Sequence, residues 1–425
     1  MPSQVLLGLD FGTTNSALAI NRDGKVEIVD VDEFNPNGKT MRSVLFFDEE
    51  KNVYVGYEAI AKYVEEISYG RYMQSIKAFL SDKTFESTEI YGKTYEIEDL
   101  VAIILRKIRA RGEEYAGESV EDVVLGRPVV FSEDPQKDVF AESRLKAAAE
   151  KAGFKNIFFQ LEPIAAALAF ESSLKSGEEK VVLVGDFGGG TSDFTVITLR
   201  GGKTQSRVDR KGDILSVGGV YIGGDTFDSR MMWEKVAPYF GRDVQIKFVM
   251  EDYWHSMPPL INKLRSWHLI PQLRDRNTRE SIRKLKALAD RKDLIENLEN
   301  LIDDNYGFML FQAIEKAKCE LSSQEETLIF YKEFSLIIRE QVARLEFEDM
   351  IREDVEKIRM CIKNVLKNAG ANADDIDIVF LTGGSSNIPY IKKIFEEMFG
   401  QSKIRRTDVF TSVAYGLGIS ASMYL

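Results

Sequence analysis

One short pattern of residues occurs twice in this chain, and it constrains the fold more than any bulk property. Residues 5–9 are an apolar run of buried-strand type that ends in Asp10-Phe11-Gly12-Thr13-Thr14-Asn15-Ser16, and a second apolar run follows at 17–20. Residues 181–184 lead in the same way into Gly185-Asp186-Phe187-Gly188-Gly189-Gly190-Thr191-Ser192-Asp193, followed by the apolar run 194–199. Strand, small-residue turn, strand reads as a hairpin. Asp-Phe-Gly stands in both copies, at 10–12 and at 186–188.

A second echo supports duplication. Residues 123–125 read as a strand, followed by Gly126-Arg127-Pro128, a helix over about 138–152, and Glu162-Pro163 opening an alanine-rich helix. Residues 376–381 read as a strand, followed by Thr382-Gly383-Gly384-Ser385, a helix over about 389–399, and Ser412-Val413-Ala414-Tyr415-Gly416 opening a small-residue helix. Small residues at such spacing let helices pack close to a sheet, so each half is expected to be a mixed α/β lobe. The length of 425 residues accommodates two or three domains at roughly 150 residues each. The polar stretch 172–179 is the expected boundary, giving a first lobe at 1–175 and a second at 176–425. Residues 240–312 have no echo and carry helical spacing at Ile282, Leu285, Leu288, Leu294, Leu298 and Leu301. Within 261–292 stand ten Lys/Arg against three Asp/Glu, which reads as a solvated helical face or as a docking surface for an acidic partner.

Composition excludes several classes. With 44% hydrophobic and 29% charged residues the chain is globular rather than disordered. Its formal charge of −12 leaves no overall basic field to displace phosphate counterions, so nucleic-acid coating is not expected. Two cysteines, Cys319 and Cys361, provide neither a disulfide scaffold nor a zinc spacing, and His255 and His268 lack ligand partners. No signal-peptide pattern and no apolar run of membrane-spanning length is present, so the expected location is the cytoplasm, away from membranes.

The two turns are the chemical feature. Gly-Lys-Thr occurs at 38–40, 92–94 and 202–204, but Glu33, Ser87 and Ile197 stand where a Walker loop needs its first glycine. A strand rather than a helix follows each turn, which excludes a dinucleotide fingerprint. What remains is a turn whose backbone N–H groups, bared by glycine and helped by Thr and Ser hydroxyls, can hold phosphate oxygens. Each turn also carries an Asp where its strand ends, and two carboxylates from two lobes suit a hydrated Mg²⁺. One such turn alone reads as a tight hairpin with a capping Asp. Two, in order and inside echoing halves, favour a shared phosphate and metal site.

These turns, together with Glu162-Pro163-Ile164-Ala165-Ala166-Ala167, Gly223-Gly224-Asp225-Thr226-Phe227-Asp228, Glu315-Lys316-Ala317-Lys318-Cys319-Glu320-Leu321-Ser322 and Leu381-Thr382-Gly383-Gly384-Ser385-Ser386-Asn387-Ile388-Pro389, resemble the actin-like ATPase superfamily. Within it the sequence is similar to the nucleotide-binding domain of the DnaK-type seventy-kilodalton heat-shock chaperones, from about residue 5 to 424, and it looks most like their short YegD-like homologues. The resemblance implies an α/β fold of two duplicated ribonuclease-H-like lobes with an ATP cleft between them. It implies ATP or ADP and Mg²⁺ as ligands, slow Mg²⁺-dependent ATP hydrolysis, and a chaperone-like monomer that works with a co-chaperone or other protein partner, the insert at 261–292 being the expected contact.

By matching position, the resemblance implies that Asp10 and Asp186 bind Mg²⁺ through water. Gly12, Thr13, Thr14, Asn15, Gly188, Gly189, Gly190 and Thr191 would cradle phosphates, with Lys77 on the phosphate side. Glu162 would orient the attacking water and Asp193 accept its proton. Gly223 and Gly224 would line the phosphate side of the cleft. Glu315, Lys318 and Ser322 would surround ribose and base, and Gly383, Gly384, Ser385 and Ile388 the α-phosphate and adenosine. Plainer readings exist: Lys77 as a surface lysine on a helix, Glu162 as a helix-opening residue before Pro163, and Glu315 with Lys318 as a solvated i,i+3 pair. Three positions depart from the family pattern. Asn387 stands where most members place an Arg against the adenine face, Cys319 where some have a second basic residue, and Phe410 where an acidic residue is usual. Lost stacking and cation–π contact would cost about 1 kcal/mol each. No peptide-binding domain is expected within the chain. A small-molecule kinase of the same superfamily and an actin-like filament-forming ATPase are the alternative functions.

Overall fold

The computed structural model describes residues 5–35, 37–65, 70–132, 134–202, 210–248, 252–303, 307–333, 336–406 and 411–424. Phe410 therefore lies outside the described residues. Both expected hairpins form. Val5–Phe11 pairs antiparallel with Asn15–Arg22, and Glu179–Phe187 with Ser192–Arg200. Each lies at the centre of its own sheet, and the two sheets are built in the same way. A third strand extends each hairpin antiparallel, Lys25–Val29 in one and Ile214–Val220 in the other. On the opposite side Asp122–Arg127 or Ile378–Thr382 joins parallel, and Asn156–Leu161 or Ile404–Arg406 joins parallel beyond that. Five strands in the same order and sense in both sheets, the first adding the short strand Met41–Arg42 beside Asn15–Arg22, give the duplicated, two-lobed α/β fold expected from the echoing motifs.

The central strands read as continuous apolar runs because helices cover both faces. Leu6, Leu7 and Leu9 are buried, as are Val182, Leu183 and Val184. Helices Ile97–Ala116 and Pro135–Lys151 share a core with the first sheet. The second sheet shares a larger core with Arg352–Asn368, Pro389–Phe399 and the helical region between them and the hairpin. Helices Glu162–Glu171 and Ser412–Ala421 lie between the sheets, in one apolar cluster with Leu6 and Val124 of the first and Val182, Val184 and Phe380 of the second. The last helix of the chain thus packs against strands of the first sheet, Val5–Phe11 included.

Small residues make that crossing possible. A Cβ placed on Gly416 would come 1.8 Å from the Ala165 carbonyl oxygen, and one on Gly8 would come 2.3 Å from the Gly418 nitrogen. Backbone meets backbone here, so no side chain can yield. Gly416→Ala is expected to lower stability by about 2–3 kcal/mol, as overpacking does, read as a lower urea midpoint at unchanged m-value. An unchanged midpoint would mean that the two helices are not held at this separation.

Among its described residues the stretch without an echo is mostly helical, with one short hairpin of Gln245–Ile246 and His255–Ser256. Arg276–Leu288 and Lys292–Asp303 bury Ile282, Leu285, Ile295, Leu298 and Leu301. Six of the ten cations of 261–292 are engaged nearby. Arg276 pairs with Glu280, Arg279 with Asp303, Lys286 with Glu299 and Arg291 with Asp293. Arg274 donates to the Ile302 carbonyl, and Arg265 stacks 3.8 Å above the Trp233 ring. The outward basic face therefore reduces chiefly to Arg283, Lys284 and Lys292.

Candidate functional site

A cleft of about 1770 Å³ runs between the lobes, and every expected site residue except Gly223 lines it. Gly223 is buried behind the second turn. A Cβ on it would meet the Gly189 carbonyl at 2.4 Å, and the next two amides, of Gly224 and Asp225, donate to the carbonyls of Gly188 and Gly189. The pair Gly223-Gly224 thus braces the second turn from outside. The two turns approach each other directly. A Cβ on Gly189 would sit 2.3 Å from Thr14 Oγ1 of the first turn and 3.2 Å from Asp225 Oδ1.

The floor of the cleft collects charge. Lys77 Nζ donates to Glu162 Oε1 at 2.8 Å, with both side chains largely buried. Lys77 stands on the 3₁₀ turn Ile76–Phe79, directly after Ser75, which is held at φ 56° in the left-handed region. Such a conformation is costly for a non-glycine residue and clusters at functional sites. Glu162 opens helix Glu162–Glu171, so its helix-opening and site roles coincide. Asp186 lies directly opposite Asp193 across the hairpin, a like-charged pairing that costs stability in a sheet. Thr382 Oγ1 donates to Asp186 Oδ1 at 3.1 Å, and Thr191 Oγ1 to Asp193 Oδ2 at 2.9 Å.

These groups disturb one another. Burial, then the charges of Glu162 and Asp186, push the Asp10 carboxyl up to about 8 against the pull of Lys77. Burial, Glu162 and Asp193 push Asp186 up to about 6. Asp193 is raised as well, first because the cleft walls withdraw its carboxyl from bulk water. Burial lowers the Lys77 ammonium, but Glu162, Asp10 and Asp186 outweigh that and raise it overall. Four carboxylates share one lysine, so the floor lacks positive charge. Among the described residues no three of them converge as a direct metal cage. A cation that retains its water shell fits this donor set, and Mg²⁺ dehydrates reluctantly.

Crowding has a consequence for the metal-free protein. Between the ordinary carboxylate pKa and the raised values the folded chain binds more protons than the unfolded one, so stability falls as pH rises. The raised carboxyls Asp10 and Asp186, facing Glu162, Asp193, Lys77 and Thr382, set the window at about pH 4–8. In chelator, the melting temperature is expected to drop between about pH 5.5 and about pH 8.5, and excess Mg²⁺ to restore part of it at the upper end. A profile that is flat in chelator would mean that burial and neighbouring charge do not raise these carboxyls.

The opposite end of the cleft is built on helix Gly307–Glu320. Glu315 and Lys318 are not a solvated pair with each other. Lys318 Nζ reaches Asp228 Oδ2 at 2.7 Å and the Gly224 carbonyl at 3.1 Å. Glu315 accepts from Arg42 Nη2 through both oxygens at 2.9 Å, which joins the lobes. The same helix sets Phe308 against Tyr63 and Tyr72 of the first lobe, with ring centroids 5.3 and 4.9 Å away. Cys319 and Asn387 also line this end. Sequence reasoning gave no role to Arg42, Asp228 or Thr382. Asp228 and Thr382 stood inside quoted motifs, whereas Arg42 carried no local signal.

Comparison with known proteins gives a consistent relationship. The family model described as Hsp70 protein matches residues 6–252 and 296–424, passing over the whole of the basic stretch 261–292. The chaperone protein DnaK of Thermosipho melanesiensis is 29% identical over 427 residues, covering 99% of this chain and 59% of that protein. The chaperone protein DnaK of Thermotoga maritima is 27% identical over 431 residues, with the same two coverages. The chain therefore spans 59% of the length of these curated relatives.

Proposed function

The chain belongs to the Hsp70 family, and on that premise we propose that it is a chaperone-type ATPase that takes ATP with Mg²⁺ between its lobes and hydrolyses it slowly to ADP and phosphate. The observation that carries this reading is the pairing of two facing glycine turns with a floor of four carboxylates around Lys77 and Glu162. The turns offer backbone N–H groups to phosphate oxygens. Lys77 sits where it can share its charge between Glu162 and the terminal phosphate. Glu162 orients a water for attack on the γ-phosphorus, so that a water–phosphorus bond forms as the bond to the β–γ bridging oxygen breaks. Asp193 accepts the proton of that water. Asp10 and Asp186 would hold hydrated Mg²⁺, which when bound offsets the charge of the β- and γ-phosphates. This layout supplies positioning and charge stabilisation, the main requirements of phosphoryl transfer.

We divide the molecule into lobes at about residue 175, with helices Glu162–Glu171 and Ser412–Ala421 as the pivot, and propose that lobe closure on nucleotide is the signal read by a co-chaperone or other partner. Among the described residues no helix is long and apolar enough to cross a membrane. We assign the protein to the cytoplasm as a monomer. The test is phosphate release from ATP by the purified chain with Mg²⁺ and with chelator. Release with Mg²⁺ that chelator abolishes is expected. The absence of both hydrolysis and ATP binding would overturn the reading.

A further inference from the structure

The short hairpin of the second lobe sets exposed aromatic rings beside cations that the fold does not use. Its strands Gln245–Ile246 and His255–Ser256 are fastened to helix Arg276–Leu288. The Lys247 N–H donates to the Leu288 carbonyl at 3.1 Å, and Ile246 bridges to Ala289. Ile246 and Met257 belong to the core of the second lobe, so the base of the hairpin is anchored. Its outer part presents Phe248, Tyr253 and Trp254 at 41%, 60% and 51% exposure. The His255 ring touches two of them, with centroids 5.2 Å from Phe248 and 4.7 Å from Tyr253. Lys247 Nζ stands 5.9 Å from the centre of the Trp254 ring. Tyr253 and Trp254 fall, like the basic stretch, between the two segments that the Hsp70 family model matches.

Single exposed apolar side chains are ordinary surface. Three large rings on one hairpin, two of them against the same His ring, form a cluster of the kind that anchors interfaces. A ring brings a large apolar area and few torsions to freeze. Cations gather around it. Lys284 stands one helical turn before Leu288, Arg283 adjoins it, and Lys292 follows Asp290, whose N–H donates to the Gln245 carbonyl at 3.1 Å. Arg283, Lys284 and Lys292 are exposed, and among the described residues neither they nor Lys247 has a carboxylate partner. The described acids beside the hairpin are Asp252 and Asp290, and Asp290 Oδ1 already accepts from the Gln245 N–H at 3.0 Å. In a chain of formal charge −12 this leaves an apolar centre with a basic rim, the layout of a docking patch. Charge complementarity selects an acidic occupant. The net negative chain opposes a strand of dense phosphate charge, whereas a peptide needs only a few carboxylates to meet the rim while its apolar side chains cover the rings.

We propose that this hairpin and the adjoining helix end dock an acidic polypeptide segment in which Asp or Glu alternates with large apolar side chains, Trp254 and Tyr253 taking the apolar groups and Lys247, Arg283, Lys284 and Lys292 the carboxylates. The test is fluorescence anisotropy of a labelled peptide of repeating Asp-Leu-Glu-Phe titrated with the full chain, beside the same peptide with Ser for Leu and Phe and beside a labelled oligothymidylate of equal charge. The first peptide is expected to bind at least about tenfold more tightly than either control. Trp254→Ala is expected to weaken it by about tenfold or more, as loss of an interface anchor does. Lys284→Ala is expected to weaken it by about threefold, the size of an exposed ion pair, and to lessen its salt dependence. Both variants are expected to keep the parental melting temperature, since both side chains are exposed. No binding of the first peptide, an affinity unmoved by Trp254→Ala, or tighter binding of the oligothymidylate would overturn this inference and leave the ATPase reading standing.

Discussion

Asp186→Asn is expected to remove Mg²⁺-dependent hydrolysis, lowering kcat by roughly three orders of magnitude, because the charge stabilisation supplied by a catalytic metal amounts to several kcal/mol. The same substitution is expected to leave the metal-free fold at least as stable as the parent. Asp186 is crowded by burial and by Glu162 and Asp193, which raise its carboxyl to about 6. Near neutral pH its charge therefore opposes folding. The amide keeps the shape and can still accept from Thr382 Oγ1, now at 3.1 Å from the carboxylate, while the repulsion across the hairpin disappears. A charge retained at a cost to stability is what a functional site produces. Turnover in the presence of Mg²⁺ and the melting temperature in chelator measure the two effects separately. Parental turnover would show that Asp186 does not serve the metal, and a fall in melting temperature of several degrees would show that it is a structural residue.

The parts legible in the sequence were those encoded by short local patterns. Asp-Phe-Gly turns between apolar runs gave both hairpins, and register then placed Asp10 and Asp186 near the ends of central strands. Gly126-Arg127-Pro128 and Thr382-Gly383-Gly384-Ser385 marked the parallel strands that flank them. Side-chain partnership over long separations was not legible. Arg42 and Glu315 are 273 residues apart, and nothing next to Arg42 signals the contact. The i,i+3 spacing of Glu315 and Lys318 suggested a mutual pair, but tertiary packing turns the first toward the other lobe and the second toward Asp228. The left-handed Ser75 was equally silent, since strain of that kind is imposed by the surroundings and not by residue type. The charge excess of 261–292 was legible, yet most of its cations meet partners that a linear tally cannot locate.

Lys77→Ala is the second large effect, and it separates positioning from binding. One preorganised donor aimed at developing charge contributes about 10²–10³ in kcat, so turnover is expected to fall by that factor. ATP affinity is expected to change by less than about tenfold, because the two turns and the lobe-two residues still hold the nucleotide. The 2.8 Å contact with Glu162 makes Lys77 a structural partner as well, so stability offers an independent readout. Without the ammonium, Glu162 and its neighbours Asp10 and Asp186 lose the one positive charge they share. Removing one member of a largely buried pair is strongly destabilising because it strands the other charge. Lys77→Ala should therefore melt several degrees below the parent in chelator, and adding Glu162→Gln should return part of that loss while restoring no turnover. The double variant reads stability alone, because Glu162 is itself assigned to orienting the water. Unchanged kcat in the single variant would remove Lys77 from the chemistry altogether, leaving the carboxylates and the turns to account for catalysis.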